Sequence, residues 1–259
     1  MQRVKKYIFF LVYIQFPILH IFVLAHSPMP STSPQPGRTQ TSQVAVQLRR
    51  DIVAGILPPG AKLKISDLAQ RYGVGVIPTR EALSRLATSG LVVAEDQRGF
   101  RVAPVSREEL RDLASLRRTL ETRALRESLQ RGGVEWEAQL IAAHHRLSRA
   151  APRGSDGYLA FNEAWDAAHI AFHQALLSAC ASRWLMQFVD VLSEQMNRYR
   201  HISTYSDHAP QRDVSAEHEQ LLRAALARDA ELASQLLETH FLQTEADALS
   251  ALAAQGITR

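Results

Sequence analysis

The sequence contains a single cysteine, Cys180, so no disulfide can form within the chain. This excludes a disulfide-stapled secreted scaffold and is typical of proteins in the reducing cytosol. Aromatic residues are also scarce, at 7% of the chain, whereas Ala, Leu and Arg are abundant. Because these three residues are favourable in helices, the composition favours a mainly α fold.

Charge is distributed unevenly over the 259 residues. Residues 38–105 carry ten Lys and Arg against five Asp and Glu, whereas residues 106–259 carry 17 Arg against 21 Asp and Glu. A basic first part followed by a mildly acidic second part is expected where one domain meets the phosphates of a nucleic acid.

Residues 43–105 show the order of elements that is typical of a winged helix-turn-helix. Apolar residues at helical spacing predict a helix over 43–55, and Ser66 is expected to cap a second helix. Pro78 is expected to begin a third helix, and residues 91–105 alternate as two strands around a polar turn. Residues 43–105 are therefore predicted to form an N-terminal winged helix-turn-helix domain.

The second helix of a helix-turn-helix enters the major groove of DNA with its N-terminal end. Arg80 lies in that first turn and is long enough to contact guanine or a phosphate. Thr79 beside it is a candidate for a phosphate or a thymine methyl group. The further candidates for backbone or minor-groove contacts are Arg49, Lys64 and the wing-tip pair Arg98 and Gly99. For Arg49 a solvated surface charge is an equal alternative.

Residues 106–254 predict an antiparallel all-α bundle, because six amphipathic stretches follow one another through short connections. Ser106 and Glu109 form a capping box at its start. The predicted helices cover residues 107–130, 134–150, 156–180, 183–204, 214–227 and 229–254.

Histidines are the chemically informative residues of this bundle. His169 and His173 stand four residues apart, so both rings lie on one helix face and can share a metal ion. His218 lies on the apolar face of one later helix, and His240 lies in another. One inward histidine is usually a hydrogen-bonded core residue, but four in one bundle favour a site for Zn, Ni or Mn. Asp166 is a possible further ligand or a partner that orients an imidazole.

The remaining polar residues of the bundle are assigned to its surface. This group contains four further histidines and two arginines, namely His144, His145, His201, His208, Arg198 and Arg200.

The first part resembles the winged helix of GntR-type transcription factors in the stretches LRRDIVAGILPPGAKL, DLAQRYGV, PTREALSRLATSGLV and RGFRV. The chain departs from that family at Gly75 and Val76, where Ser-Arg is common, so an operator inferred from the family does not transfer. Over residues 106–250 the chain resembles the FCD domain of the FadR branch, through LRRTLETRAL, HIAFHQALLSAC and EHEQLLRAALARD.

This second resemblance implies a metal held by His173, His218 and His240, with His169 in the place of the family's Asp or Asn. It also implies that Arg117 faces a cavity and pairs with an organic acid effector, which agrees with the preference of a guanidinium for carboxylates. Arg198 and Arg200 are weaker candidates for this contact, and a solvated charge is the preferred interpretation of them.

Together these features predict a cytoplasmic, homodimeric, ligand-responsive regulator that is not an enzyme. Two winged helices would bind a pseudo-palindromic operator in double-stranded DNA, most simply as a repressor. The alternatives are a metal-dependent hydrolase whose histidines activate water, and a bundle in which the metal is purely structural. The hydrolase lacks an HExxH motif, and Asp166 is the sole carboxylate within a turn of the paired histidines.

The N-terminal residues leave a further alternative open. Arg3, Lys5 and Lys6 precede an apolar run over residues 7–25, which could be a signal peptide or a membrane anchor. The positive-inside rule would then place a DNA-binding domain outside the cytosol, where it has no target. We therefore predict that translation starts at Met29 and that the protein has no membrane association, with residues 28–42 forming a disordered lead-in.

Overall fold

The computed structural model describes residues 39–96, 98–150, 162–204 and 212–257, which belong to one compact unit. The apolar run, the start at Met29 and most of the lead-in lie outside the described residues. Residues 40–42, predicted as the end of the disordered lead-in, instead form the first turn of the first helix, where the hydroxyl of Thr39 accepts from the backbone N–H of Ser42. Within them, no helix is both long enough and apolar enough to cross a membrane. The predicted fold class, a winged helix-turn-helix followed by a helical bundle, is confirmed.

The winged part, residues 39–105, contains three helices and three short strands in its described residues. These are α1 (Gln40–Val53), β1 (Lys62–Leu63), α2 (Ile65–Tyr72), α3 (Val76–Thr88), β2 (Val92–Glu95) and β3 (Gly99–Val102). The strands form one antiparallel sheet in the order β1-β3-β2. Strand β1 escaped the sequence prediction because two residues are too few to show alternation.

Two helix starts in the winged part differ from the prediction. The N-cap of α2 is Lys64, and Ser66 lies inside the first turn, where its hydroxyl bonds to Asp67. Helix α3 begins at Val76 rather than at Pro78, since Gly75 occupies the cap position in an extended conformation. Proline is tolerated in the first turn of a helix because its missing N–H has no partner to lose there.

One apolar core holds the winged part together. Val44 and Leu48 of α1 pack with Leu83 and Leu86 of α3 and with the inward side chain of Phe100 in β3. Burying each of these side chains contributes about 1.5–3 kcal/mol, so the sheet and the helix pair stabilise one another.

The bundle, residues 106–257, contains six helices in its described residues. They are α4 (Arg107–Arg131), α5 (Val134–Arg149), α6 (Glu163–Leu177), α7 (Arg183–Thr204), α8 (Val214–Leu226) and α9 (Ala230–Ala254). Ser106 caps α4 by accepting from the backbone N–H of Glu109, as predicted. Helix α6 starts at Glu163 because the side chain of Asn162 accepts from two backbone N–H groups of its first turn.

Helix α7 lies against both the bundle core and the winged part. The amide of Gln195 donates to the carbonyl of Ser89, and Arg198 donates to the carbonyls of Ala103 and Pro104. These hydrogen bonds fix the loop at each end of the wing to α7, so this helix positions the winged part on the bundle.

Several polar side chains assigned to the surface are buried instead. Arg198, Arg200 and His201 are all less than 10% exposed, because α7 is enclosed on more than one face. His144 is also mostly covered and meets Phe172 edge-on, with ring centroids 5.5 Å apart. The surface prediction was wrong for these four residues, whereas His145 is exposed as predicted and His208 lies outside the described residues.

Candidate metal centre and effector cavity

Four histidines from three helices meet inside the bundle. His169 and His173 come from α6, His218 from α8 and His240 from α9. One ring nitrogen from each lies within 4.8 Å of all the others, and the four side chains are buried. Ring centroids are 4.7 Å apart for the pair on α6 and 4.9 Å apart for the pair from α8 and α9. The four-residue spacing on α6 thus places two rings beside the others, as the sequence predicted.

The surroundings keep these imidazoles neutral. Burial lowers the pKa of His169, His173 and His218 well below its usual range. The neighbouring imidazoles lower the pKa of all three further, and so do Arg200 for His169 and Arg117 and Arg200 for His173. A neutral imidazole is the form that binds a metal, so the cluster needs to lose no proton before coordination.

Several ring nitrogens of the cluster have no hydrogen-bond partner among the residues that the structure describes. They are Nδ1 of His169, both nitrogens of His173 and Nε2 of His218. A buried polar atom left without a partner costs about 1–3 kcal/mol, and four such atoms in one place call for a ligand. A divalent cation accepts lone pairs from nitrogens in this arrangement. The donor set therefore fits a metal ion of the zinc or nickel type.

The fourth ring is oriented by a carboxylate. Nδ1 of His240 lies 2.8 Å from Oε2 of Glu217, and we assign the ring proton to Nδ1, which donates to this oxygen. Burial raises the pKa of Glu217, but hydrogen bonds from Arg212 and His240 outweigh this and lower it to about 2. An ionised carboxylate that accepts from Nδ1 leaves Nε2 free for a metal. Glu217 was not predicted, because nothing local marks a residue that reaches a helix 23 positions further on.

Asp166 is not part of the four-histidine group. Its carboxylate forms a buried ion pair with Arg200, whose guanidinium also lies over the Trp165 ring, 5.5 Å from the centroid. A carboxylate held by an arginine is a weaker metal ligand than a free one, so the structure places Asp166 beside the cluster and pairs it elsewhere.

A cavity of about 480 Å³ adjoins the histidines. Its wall includes Arg117, Glu121, His169, His173 and Ser193. Arg117 is buried, donates from Nε to Glu121 at 2.5 Å and lies over the Phe241 ring, 4.2 Å from the centroid. A guanidinium and a nearby candidate cation site on one cavity wall suit a small carboxylate. Such a ligand would displace Glu121 as the partner of Arg117.

The predicted DNA-binding residues divide into exposed and enclosed ones. Arg80 is exposed near the start of α3, and Lys64, Arg98 and Gly99 are exposed at the start of α2 and at the wing tip. Gly99 has a φ of +97°, a conformation that other residues rarely adopt, so glycine is required at that turn.

Thr79 is placed differently from the prediction. Thr79 is 0% exposed and donates its hydroxyl to the carbonyl of Gly75, so it faces the core of the winged part. The predicted DNA contact of Thr79 was wrong, because the helix turns that side chain inward while Arg80 points out. Arg49 is exposed and forms an ion pair with Glu194 of α7 at 2.8 Å, and its contact with a phosphate stays a prediction.

A winged helix with an exposed recognition helix, joined to a bundle that buries a four-histidine cluster beside a cavity, defines a DNA-binding regulator with its own sensing domain. Comparison with known families assigns both parts. Residues 40–102 match the model for bacterial regulatory proteins of the gntR family, and residues 112–243 match the FCD domain model. The chain therefore belongs to the GntR family and to its FCD-containing, FadR-like branch.

Curated relatives are transcription regulators of the same kind. The chain is 46% identical over 195 residues to the HTH-type transcriptional regulator BphR of Paraburkholderia xenovorans (strain LB400). The aligned residues cover 75% of this chain and 79% of BphR. It is 38% identical over 198 residues to the HTH-type transcriptional repressor GlaR of Escherichia coli (strain K12). The aligned residues cover 75% of this chain and 89% of GlaR.

A solved structure supports the fold. Escherichia coli McbR/YncC superimposes with a TM-score of 0.69 at 23% identity, over 82% of this chain and 98% of that one.

Proposed function

We propose that this protein is a cytoplasmic transcription repressor that releases or rearranges its operator when a small carboxylate binds beside a metal in the bundle. The observation that carries the proposal is the buried four-histidine cluster next to the Arg117 cavity, in a chain whose other part is a GntR winged helix. The repressor name of the relative GlaR supports the direction of control.

The metal would be held by His169, His173, His218 and His240, and would supply a Lewis-acidic positive charge to one wall of the cavity. Four imidazoles complete the tetrahedral set that Zn prefers, whereas Ni and Mn accept further ligands. Direct contact between an effector carboxylate and the metal therefore favours a metal of higher coordination number. With Zn, the effector would be held by Arg117 and the cavity wall instead.

A homodimer is the second part of the proposal. Trp184, Phe188 and Val191 form a stripe on α7 at helical spacing and are each more than half exposed, with Leu116 of α4 also exposed. An exposed apolar stripe of this kind favours contact with a second copy. Two copies would present two α3 helices to a pseudo-palindromic operator, with Arg80 of each reading a base edge.

The hydrolase alternative has less support. It needs a carboxylate as general base close to the paired histidines, and Asp166 is committed to Arg200 by a buried ion pair.

The decisive experiment uses the purified full-length chain, loaded with Zn²⁺ or Ni²⁺, and a duplex from its own promoter region. Operator affinity is expected to fall steeply with salt, since each neutralised phosphate releases counterions. A panel of small mono- and dicarboxylates is then screened for release of the duplex, with Arg117→Gln as the variant that should lose the response. Absence of salt-dependent binding to the duplex would rule out the proposal.

A further inference from the structure

The winged part supplies one wall of the effector cavity. Val46, Arg49 and Val53 of α1 line the same space of about 480 Å³ as Arg117 and His173. A molecule held at Arg117 therefore shares its cavity with a helix of the DNA-binding part. Coupling between the cavity and the DNA-binding part does not have to cross the whole bundle, because both parts contribute residues to the wall of the same cavity.

A chain of polar contacts joins the two walls. Nε of Arg117 donates to Oε1 of Glu121 at 2.5 Å, and the same oxygen accepts from the hydroxyl of Ser193 at 3.1 Å. Ser193 is bonded directly to Glu194, whose carboxylate lies 2.8 Å from Nη1 of Arg49. Both ends are ion pairs, and the middle is a single dipeptide of α7.

A change of ion-pair partner at Arg117 should alter the ion pair of Arg49 at the other end of this series of contacts. Glu121 is 1% exposed, so its carboxylate depends on Arg117 and Ser193 for compensation. An incoming carboxylate that takes Arg117 leaves Glu121 to rely on Ser193 alone. Because Ser193 and Glu194 lie on one turn of a rigid helix, a change at Ser193 alters the position from which Glu194 holds Arg49.

We propose that Arg117, Glu121, Ser193, Glu194 and Arg49 form a relay through which an anion in the cavity changes the hold of the bundle on the winged part. This inference rests on the proposed function and adds the residues that carry its regulation. Glu194 and Arg49 act as positioning residues, because neither needs to touch the effector.

A second ion pair of α1 provides a contrast. Arg50 and Glu163 approach to 3.1 Å, but both side chains are more than half exposed, so water screens the pair. In the relay, Arg49 is 50% exposed but Glu194 only 18%, and burial raises the pKa of Glu194 although Arg49 and Arg198 oppose this. The relay pair is therefore less screened at its carboxylate than the Arg50 pair, and it is the pair that Ser193 connects to Glu121 in the cavity wall.

The relay is tested by a double-mutant cycle on operator affinity, which needs no effector. Metal-loaded full-length protein is titrated onto a fluorescent duplex from its own promoter region, for wild type, Arg117→Gln, Glu194→Gln and the double variant. Glu194 is replaced rather than Arg49, because Arg49 is itself a candidate for a phosphate contact. Arg117→Gln should shift the operator Kd by about fivefold or more, and by less than about twofold in the Glu194→Gln background.

Arg118→Gln is the matched control. Arg118 adjoins Arg117 on α4 but pairs with Glu245 of α9 at 2.5 Å, away from the relay. Its effect on the operator Kd should be the same with and without Glu194→Gln. If Arg117→Gln does not fold, Ser193→Ala takes its place, since it removes the middle link and leaves both ion pairs intact.

The outcomes are distinguishable. The relay is overturned if Arg117→Gln or Ser193→Ala changes the operator Kd by the same factor with and without Glu194→Gln. It is also overturned if neither variant changes the operator Kd. In both cases, operator binding by the wild-type protein leaves the proposed function standing. A wild-type protein that does not bind the duplex overturns both. The relay is supported if Glu194→Gln abolishes the effect of Arg117→Gln on the operator Kd but leaves the effect of Arg118→Gln unchanged.

Discussion

Replacing Glu217 by Gln should weaken metal binding at the histidine cluster while leaving the bundle folded. The amide keeps the shape of the side chain but loses the charge that accepts from Nδ1 of His240 at 2.8 Å. Arg212 keeps Thr244 at 3.1 Å and Asp247 at 3.2 Å as partners, so no buried cation is stranded. The variant therefore tests orientation of the ring rather than integrity of the fold.

The expected magnitude follows from the role of such carboxylates. Loss of the partner that orients a metal-binding histidine lowers metal affinity by about 10- to 100-fold. This equals about 1.4–2.8 kcal/mol of binding free energy. With metal in excess at one fixed concentration, the metal-induced rise in Tm should be smaller than in wild type by roughly 3–11 °C for a chain of this size.

The assay is a Zn²⁺ titration in competition with a chromophoric chelator, paired with thermal unfolding with and without Zn²⁺. Glu219→Gln is the matched control, since Glu219 lies on the same helix but pairs with Arg223 and His144 near the surface. Its Zn²⁺ affinity should stay within about twofold of wild type, as for a surface substitution. Equal Zn²⁺ affinities for Glu217→Gln, Glu219→Gln and wild type would refute the reasoning.

Three further outcomes are expected. Arg80→Ala should weaken operator binding by about 1–3 kcal/mol in an anisotropy titration, and Arg85→Ala, later on the same helix, should cost clearly less; equal losses would contradict a role in base reading. Gly132→Ala should lower the free energy of unfolding by about 1–3 kcal/mol in a urea titration, because the new Cβ would lie 2.6 Å from Trp136, whereas Gly133→Ala meets nothing within 4 Å and should be tolerated. Burial and the charge of the adjacent arginine lower the pKa of His201 to about 4, so the unfolded chain binds its proton at higher pH than the folded protein does. Stability should therefore fall by about 3 kcal/mol as pH drops from about 6.5 to 4, and His201→Gln should lose that part of the slope; an unchanged slope would show that His201 titrates normally.

Local patterns in the sequence were sufficient for most of the architecture. Helical spacing of apolar residues, the capping pair Ser106 and Glu109, and glycines after helices depend on neighbours in the chain, so they can be read without a fold. The paired histidines of α6 belong to the same class of signal, since a spacing of four residues fixes two rings on one face of any helix.

Contacts between distant parts of the chain could not be read in this way. The sequence does not show whether a polar residue on α7 meets water or another element, so Arg198, Arg200 and His201 were assigned to the surface although they are buried. The orientation of α3 likewise decides that Arg80 faces outward while Thr79 faces the core.

The sequence by itself determined most of the elements and the identity of the four histidines, because these depend on periodicity and on residue type, and its resemblance to known families determined the class of protein. Only the tertiary structure decided the partners of those residues: Glu217 for His240, Arg200 for Asp166 and Glu194 for Arg49. The physical reason is that a charged side chain finds its partner through the packing of whole helices, and that packing is set by all the apolar faces together.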